Sequence, residues 1–544
     1  MAIGSGAGQG IEGETPFDPE VFALDAGPDV EPLYGPVDGK QPHASERPGS
    51  FPFTRGIHDP GMRMAAPLVK AYTGFGTPEE TNGRLKKLRE WGVEVIHLAV
   101  DLPSQIGYDS DHIMASGEVG RAGVAVSSLK DMEVLFADIP LSSFTRVGML
   151  GNCTGPIALG LFVALAEKQG LDVGRYVVDL QNDPLKEYVA RGTQFLPVEA
   201  ALKLSCDVVE WCAAQAPEWW PLDMCVNHLN AAGAGSTAAT AIALSNGVCY
   251  IDELVGRGLL VDAFAPRFQL FADERDDFFV AVANVRAARR VWARLMRDRY
   301  GAKDPESWAL KVTAYGHGRE TRVEPLNNIG RIMLGSLAYV LGGVQSLYTA
   351  SFDEALATPS EESALVAVRT QQILASEQGL TLTADPLGGS YYVESLTDEL
   401  EKRIVSTMGE IEQQGGALGC MESGYARHVI DEGAARRQQR YESGARVIVG
   451  LNRYKSVEAS FSPPPTASSD ADAAEVQRRR LDDLRKSREN AQVSAALAGV
   501  RDAAAGGRNT VPAVIDAVRA YATVGEIADV FRSAYGEWRP ERAY

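Results

Sequence analysis

Residues 145–182 read TRVGMLGNCTGPIALGLFVALAEKQGLDVGRYVVDLQN. Thr145–Gly151 and Tyr176–Asn182 are short runs rich in β-branched and apolar residues, and Ile157–Lys168 between them has the length and composition of a helix. A helix between two strands carries the chain back to the edge it left, so the two strands run parallel. The unit predicts a β/α architecture, and the question becomes how often it recurs.

Working outward, the same alternation extends from Phe51 to about residue 400. Six further runs read as strands: Val93–Asp101, Asp223–Asn230, Asp262–Phe271, Leu310–His317, Ser346–Ser351 and Leu380–Asp385. Helical stretches lie between them at Thr77–Trp91, Pro197–Ala214, Asp276–Arg299 and Glu361–Glu377. The total is eight strands, the number that closes a parallel barrel. An open doubly wound sheet is the alternative, and the missing G-x-G-x-x-G turn after the first strand counts against it. The expected fold is α/β: an eight-stranded parallel β/α (TIM-type) barrel with an N-terminal extended arm and a C-terminal helical region.

Composition shifts place the boundaries. Residues 1–50 form an acidic arm rich in Gly and Pro, and 51–395 form the barrel. A helical extension at 396–455 follows, with helix spacing over Leu396–Gln414 and Ala426–Ser443. Residues 456–475, with Ser462-Pro463-Pro464-Pro465, read as a linker, and 476–544 as a charged helix and two shorter ones.

The 544 residues are 45% hydrophobic and 23% charged, enough for a large core. Lys and Arg number 53 against 72 Asp and Glu, a net charge of -19 that repels polyanions, so neither nucleic acid nor a membrane surface is expected as a partner. The six cysteines lack C-x-x-C spacing, which predicts reduced thiols and no metal site. With no secretory signal and no apolar run long enough to cross a membrane, the expected location is cytoplasmic.

Reacting groups in a β/α barrel sit at the C-terminal strand ends. Those positions read Gln181-Asn182-Asp183 with Lys186, Glu187 and Arg191 behind, Asn227-His228-Leu229-Asn230, Arg267 and Phe271, Tyr315-Gly316-His317, and Gln345 with Tyr348. No carboxylate pair, H-E-x-x-H or G-x-S-x-G is among them. Amide, imidazole, phenol and guanidinium groups suit binding a carbonyl and an anion, and leave bond rearrangement to a cofactor. Each has a plainer reading: His228 as a core histidine bonded to a carbonyl, Arg191 as a surface helix residue.

Several motifs then recur in a fixed order. They include Phe53-Thr54-Arg55-Gly56, Tyr72-x-Gly74-Phe75-Gly76-Thr77 and Asp101-Leu102-Pro103-Ser104-Gln105-x-Gly107-Tyr108-Asp109. Gly117-Glu118-Val119-Gly120-x-Ala122-Gly123-Val124, Gln181-Asn182-Asp183, Phe264-Ala265-Pro266-Arg267 and Ala522-Thr523-Val524-Gly525-Glu526 follow. From about residue 51 onward the chain resembles the catalytic chain of methylmalonyl-CoA mutase and related acyl-CoA mutases.

That resemblance implies an adenosylcobalamin-dependent radical enzyme, an isomerase, whose barrel encloses an acyl-CoA with the pantetheine arm along its axis. It implies that Tyr72 and Arg191 hold a substrate carboxylate of methylmalonyl or ethylmalonyl type, and that Gln181 and His228 hydrogen-bond the acyl group. Arg267, Phe271, Arg63, Thr54 and Arg55 are implied on the CoA side. Glu354, Asn227, Ala122 and Tyr315 are implied on the adenosyl side. The family's cobalamin domain carries D-x-H-x-x-G, and none of the seven His residues in this chain is preceded two positions earlier by Asp. A separate small cobalamin-binding subunit is therefore expected, in a heterodimer or heterotetramer. The match departs at Ala65, Asn227 and Ala231, where the family has Arg, Tyr and Glu. Two other readings stay open: a non-catalytic mutase-like subunit, and a cobalamin-independent acyl-CoA-binding barrel with His228 or His317 as acid or base.

Overall fold

The computed structural model describes residues 46–58, 66–274, 277–455 and 473–539. Eight parallel strands form the barrel: β1 Leu68–Thr73, β2 Val95–Leu98, β3 Arg146–Leu150, β4 Val178–Gln181, β5 Leu222–Cys225, β6 Phe268–Ala272, β7 Lys311–Gly316 and β8 Ser346–Thr349. Hydrogen bonding runs β4-β3-β2-β1-β8-β7-β6-β5. Trp220 closes the gap between β4 and β5: its N–H donates to Val178 O at 2.8 Å, and its carbonyl accepts from Leu180 N at 2.9 Å.

The number of strands matches the sequence reading, but one member differs. Leu380–Asp385 is not a strand; Asp385 there sits at φ +46 and accepts from Arg55 and Arg286, outside the barrel. The missing strand is β1, whose inward Lys70 interrupts the apolar run that would have marked it. Two other strands are shorter than their pattern. Residues 261–267 are tight helical turns before β6, and after β5 the chain enters a short helix, Asn227–Ala232, so His228 lies in a first helical turn and not on a strand.

The residue pairing sets what faces the axis. Tyr72 lies beside His97, His97 beside Gly148, and Gly148 beside Asp179. The outward residues of β1–β4 join one apolar layer with the helix Gly155–Lys168, and those of β5–β8 join a second with Ser236–Gly256 and Phe278–Arg294. Among the described residues the C-terminal region has four helices, Ala473–Ser487, Asn490–Ala505, Val511–Arg519 and Val524–Tyr535, one more than its pattern suggests. They pack on the first layer through Val493, Val500, Ile515 and Phe531. Gly160 allows this approach, because a Cβ there would lie 3.3 Å from Val518.

The recurrent motifs fold onto one another. Asp101 caps its helix by accepting from Ser104 N at 3.0 Å and reaches back to Gly120 N at 2.8 Å. Asp109 accepts from Thr523 Oγ1 at 2.6 Å and Gly525 N at 2.8 Å, which fastens the C-terminal helices to the barrel. Gly74 and Gly123 have no room for a side chain: a Cβ would lie 2.0 Å from Ala99 O and 2.3 Å from the Val100 carbonyl carbon. Among the described residues no helix is long and apolar enough to cross a membrane.

Candidate active site at the barrel mouth

A cavity of about 160 Å³ opens at the C-terminal ends of the strands. Tyr72, Gln181, Asn227, His228, Phe271, Tyr315 and Glu354 line its walls, and Lys70, His97 and Asp223 its floor. A cleft of about 330 Å³ between β1 and β8 adjoins it, sharing Tyr72, Tyr315, Tyr348 and Glu354 and adding Ala122. A larger hollow of about 1010 Å³, between Ser236–Gly256 and Tyr391–Gln413, holds none of the expected site residues.

Three wall groups are buried with nothing to bond: Gln181 Oε1, Asn227 Oδ1 and His228 Nδ1. His97 Nε2 on the floor is a fourth; buried polar atoms are almost always paired, so four orphans around one cavity mark a ligand position. Burial, with the Lys186 and Arg191 cations, lowers the His228 pKa well below 6.5, so its ring is neutral and offers a single N–H. Tyr72 is 42% exposed, into the cavity, and burial of its hydroxyl raises its pKa, so it stays a phenol. Its ring lies 5.9 Å from that of His97 and 6.1 Å from that of Tyr348.

Arg191 ends a π-helical turn, Glu187–Arg191, capped by Gly192 at φ +86. Its Nη1 is 3.5 Å from Glu187 Oε1 and makes no hydrogen bond. It is not a wall of the cavity, but its charge is felt at both Tyr72 and His228. Burial alone would raise the Glu187 carboxyl; Lys186, Arg191 and His228 outweigh it and hold the pKa at about 2. Lys186 is fully buried, with Nζ 2.9 Å from Asn152 Oδ1 and 3.1 Å from Glu187 Oε1. This cation pair sharing one carboxylate favours an incoming anion.

At the rim, Tyr315 donates to Glu354, and burial raises the Glu354 pKa. The Tyr315 ring stacks on Tyr348 with centroids 4.4 Å apart.

The remaining expected residues lie elsewhere. Arg267 ends the turn just before β6, at the opposite end of the barrel from the mouth, bonded to Pro217 O at 3.0 Å and ion-paired with Glu218. Thr54 accepts from Arg290 at 2.7 Å and Arg55 pairs with Asp385 at 2.7 Å, both within a buried network on the helices Phe278–Arg294 and Tyr391–Gln413. Arg63 falls outside the described residues.

The sequence reading missed the floor. Lys70 Nζ is 3.2 Å from Asp179 Oδ2, Gln269 Nε2 donates to Asp179 Oδ1 at 2.7 Å and also to Asp223, and Arg146 lies 3.7 Å from Asp179. Burial works against the Asp179 carboxylate, but Lys70, Arg146 and His97 lower its pKa; burial and the neighbouring Asp179 raise that of Asp223. Strand periodicity would have found them, since Asp179, Asp223 and Gln269 each stand two residues before Gln181, Cys225 and Phe271.

A family model described as methylmalonyl-CoA mutase matches residues 24–537. The large subunit of 2-hydroxyisobutanoyl-CoA mutase from Aquincola tertiaricarbonis is 37% identical over 501 residues, covering 90% of this chain and 88% of that protein. Methylmalonyl-CoA mutases of Escherichia coli and Rhizobium meliloti are 35% and 36% identical, covering 94% and 97% of this chain and 71% and 74% of theirs. Match length, identity and the barrel agree: the chain belongs to the methylmalonyl-CoA mutase family.

Proposed function

We propose that this protein is the large, substrate-binding subunit of a cytoplasmic adenosylcobalamin-dependent acyl-CoA mutase that rearranges the carbon skeleton of a carboxylated acyl-CoA of methylmalonyl or ethylmalonyl type. The observation that carries the reading is the set of orphaned atoms, Gln181 Oε1, Asn227 Oδ1 and His228 Nδ1, around a cavity reached by the Arg191 field. Arg191 and the Tyr72 hydroxyl supply charge and a donor for a carboxylate. The neutral His228 can donate to the acyl carbonyl without giving up its proton, and Gln181 fixes the other side. Phe271 and Tyr348 provide the apolar walls that keep water from the reacting carbons.

The rim suits a nucleoside: Glu354 offers a carboxyl to ribose hydroxyls, Tyr315 holds that carboxyl, and Ala122 leaves room beside it. Bound there, adenosylcobalamin supplies the radical chemistry of the rearrangement. The similar Aquincola protein is named a large subunit, which supports a separate small cobalamin-binding partner. The test is turnover of carboxylated acyl substrates by the chain with its cobalamin subunit and adenosylcobalamin. Arg191→Gln should abolish it and leave the fold intact, whereas undiminished turnover in that variant would contradict a carboxylate held by Arg191.

A further inference from the structure

His317 is buried behind the rim and lines neither the mouth cavity nor the adjoining cleft. Its Nε2 is 2.5 Å from Asp273 Oδ1 and its Nδ1 is 3.3 Å from Glu320 Oε2. Carboxylates only accept, so a ring with one at each nitrogen donates from both and is an imidazolium. With both nitrogens committed, what the ring offers the site is its face. That face stacks on Tyr315 with centroids 4.3 Å apart, and Tyr315 stacks on Tyr348 at 4.4 Å. Two rings so near cannot share one side of a third, so Tyr315 is sandwiched between them.

Tyr315 in turn donates to Glu354, the carboxyl of the rim. Burial raises the Glu354 pKa; the Tyr315 bond and the His317 charge oppose that rise, and Glu320 adds to it. The anchors of the sandwich are themselves fixed. Asp273 follows β6, and its carbonyl accepts from Asn230 Nδ2 at 3.1 Å. Asn230 belongs to the helix that carries His228, and Arg437 of the helix Tyr425–Glu442 donates to the Asn230 carbonyl at 2.9 Å. Glu320 accepts from Gly318 N at 2.7 Å, which ties down the turn after His317.

We infer that His317 is a positioning residue: held by Asp273 and Glu320, it keeps Tyr315 against Tyr348 and so aims the Glu354 carboxyl at a nucleoside on the rim. The inference rests on the rim being the nucleoside site, as in the function proposed above. A ring packed on one face can turn away, whereas a ring on each face leaves it one position. Donor and carboxyl are then set before the ligand arrives, and binding does not have to order them.

The test compares the intact chain with two variants. His317→Gln keeps a donor for Asp273 and removes the ring; His317→Phe combined with Asp273→Asn keeps a ring and removes the charge pair. Crystal structures locate Tyr315, and calorimetry measures affinity for 5′-deoxyadenosine and for methylmalonyl-CoA. The inference predicts that Tyr315 leaves Tyr348 and Glu354 in His317→Gln. Affinity for 5′-deoxyadenosine should then fall roughly two- to tenfold, the worth of one aromatic pair, while affinity for methylmalonyl-CoA stays as in the parent. The double variant should match the parent in all three readings. An unmoved Tyr315 in His317→Gln overturns the inference, as does an equal loss of 5′-deoxyadenosine affinity in the double variant or a loss that extends to methylmalonyl-CoA. A parent chain that does not bind 5′-deoxyadenosine sinks the rim as a nucleoside site, and the position of Tyr315 in the variants still decides whether His317 holds it.

Discussion

Lys70 of the first strand extends through the barrel interior to Asp179 of the fourth, its ammonium 3.2 Å from the carboxylate, with both side chains buried. A buried ion pair of this kind adds little net stability, but removing one partner strands the other charge. Lys70→Met should therefore destabilise the protein by about 3–5 kcal/mol. Lys70→Met combined with Asp179→Leu should recover part of that loss. Urea denaturation of the two variants against the parent measures the difference.

His97 gives the floor a pH signature. Burial, then the Lys70 charge, lowers its pKa from 6.5 to about 3. The unfolded chain takes up this proton near 6.5 and the folded one does not until about 3, so between those values the unfolded state holds more protons and stability falls as pH falls. The slope from this one group is about 1.4 kcal/mol per pH unit. His97→Gln should flatten the acid limb of the stability curve by that amount. Chemical denaturation at pH 7, 6 and 5 reads it, and parallel curves for parent and variant would refute it.

Asp109 fastens the C-terminal helices through Thr523, Gly525 and Arg485. Asp109→Ala leaves the Thr523 hydroxyl and the Gly525 N–H without their acceptor, at a cost of about 1–3 kcal/mol for each buried group. Amide exchange should rise in Val524–Tyr535 before it rises in the strands. Uniform acceleration throughout the chain would show that the contact has no local role.

Arg191 and Tyr72 should separate in their effects. Charge-assisted hydrogen bonds are worth about 1.5–3 kcal/mol, so Arg191→Gln should lower affinity for a dicarboxylate by roughly 10- to 150-fold. Tyr72→Phe keeps the ring and loses one neutral bond of about 0.5–1.5 kcal/mol, a loss of roughly two- to tenfold. Calorimetry with methylmalonate ranks the two.

Much of the fold was legible because helices and outward strand faces obey simple periodicities; the βαβ unit at 145–182 sufficed to set the direction of the sheet. β1 escaped because an inward Lys70 reads as a surface residue when its partner is 109 positions away in Asp179. Leu380–Asp385 misled for the opposite reason, an apolar run that serves a turn beside Arg55 and Arg286. The mouth was legible where a residue ends a strand, as Gln181 and Phe271 do. Arg267 was not, because its position before β6 and its bond to Pro217 depend on how the strand starts, which spacing alone does not show.

The most direct measurement joins this chain, a small subunit carrying D-x-H-x-x-G and adenosylcobalamin, and follows both product and the electron paramagnetic resonance spectrum on adding a carboxylated acyl substrate. The account predicts an organic radical signal with formation of the rearranged acid, both lost in His228→Ala while binding of adenosylcobalamin by the assembly persists. An assembled complex that gives neither radical nor product with methylmalonyl or ethylmalonyl substrates, free or as thioesters, would contradict it.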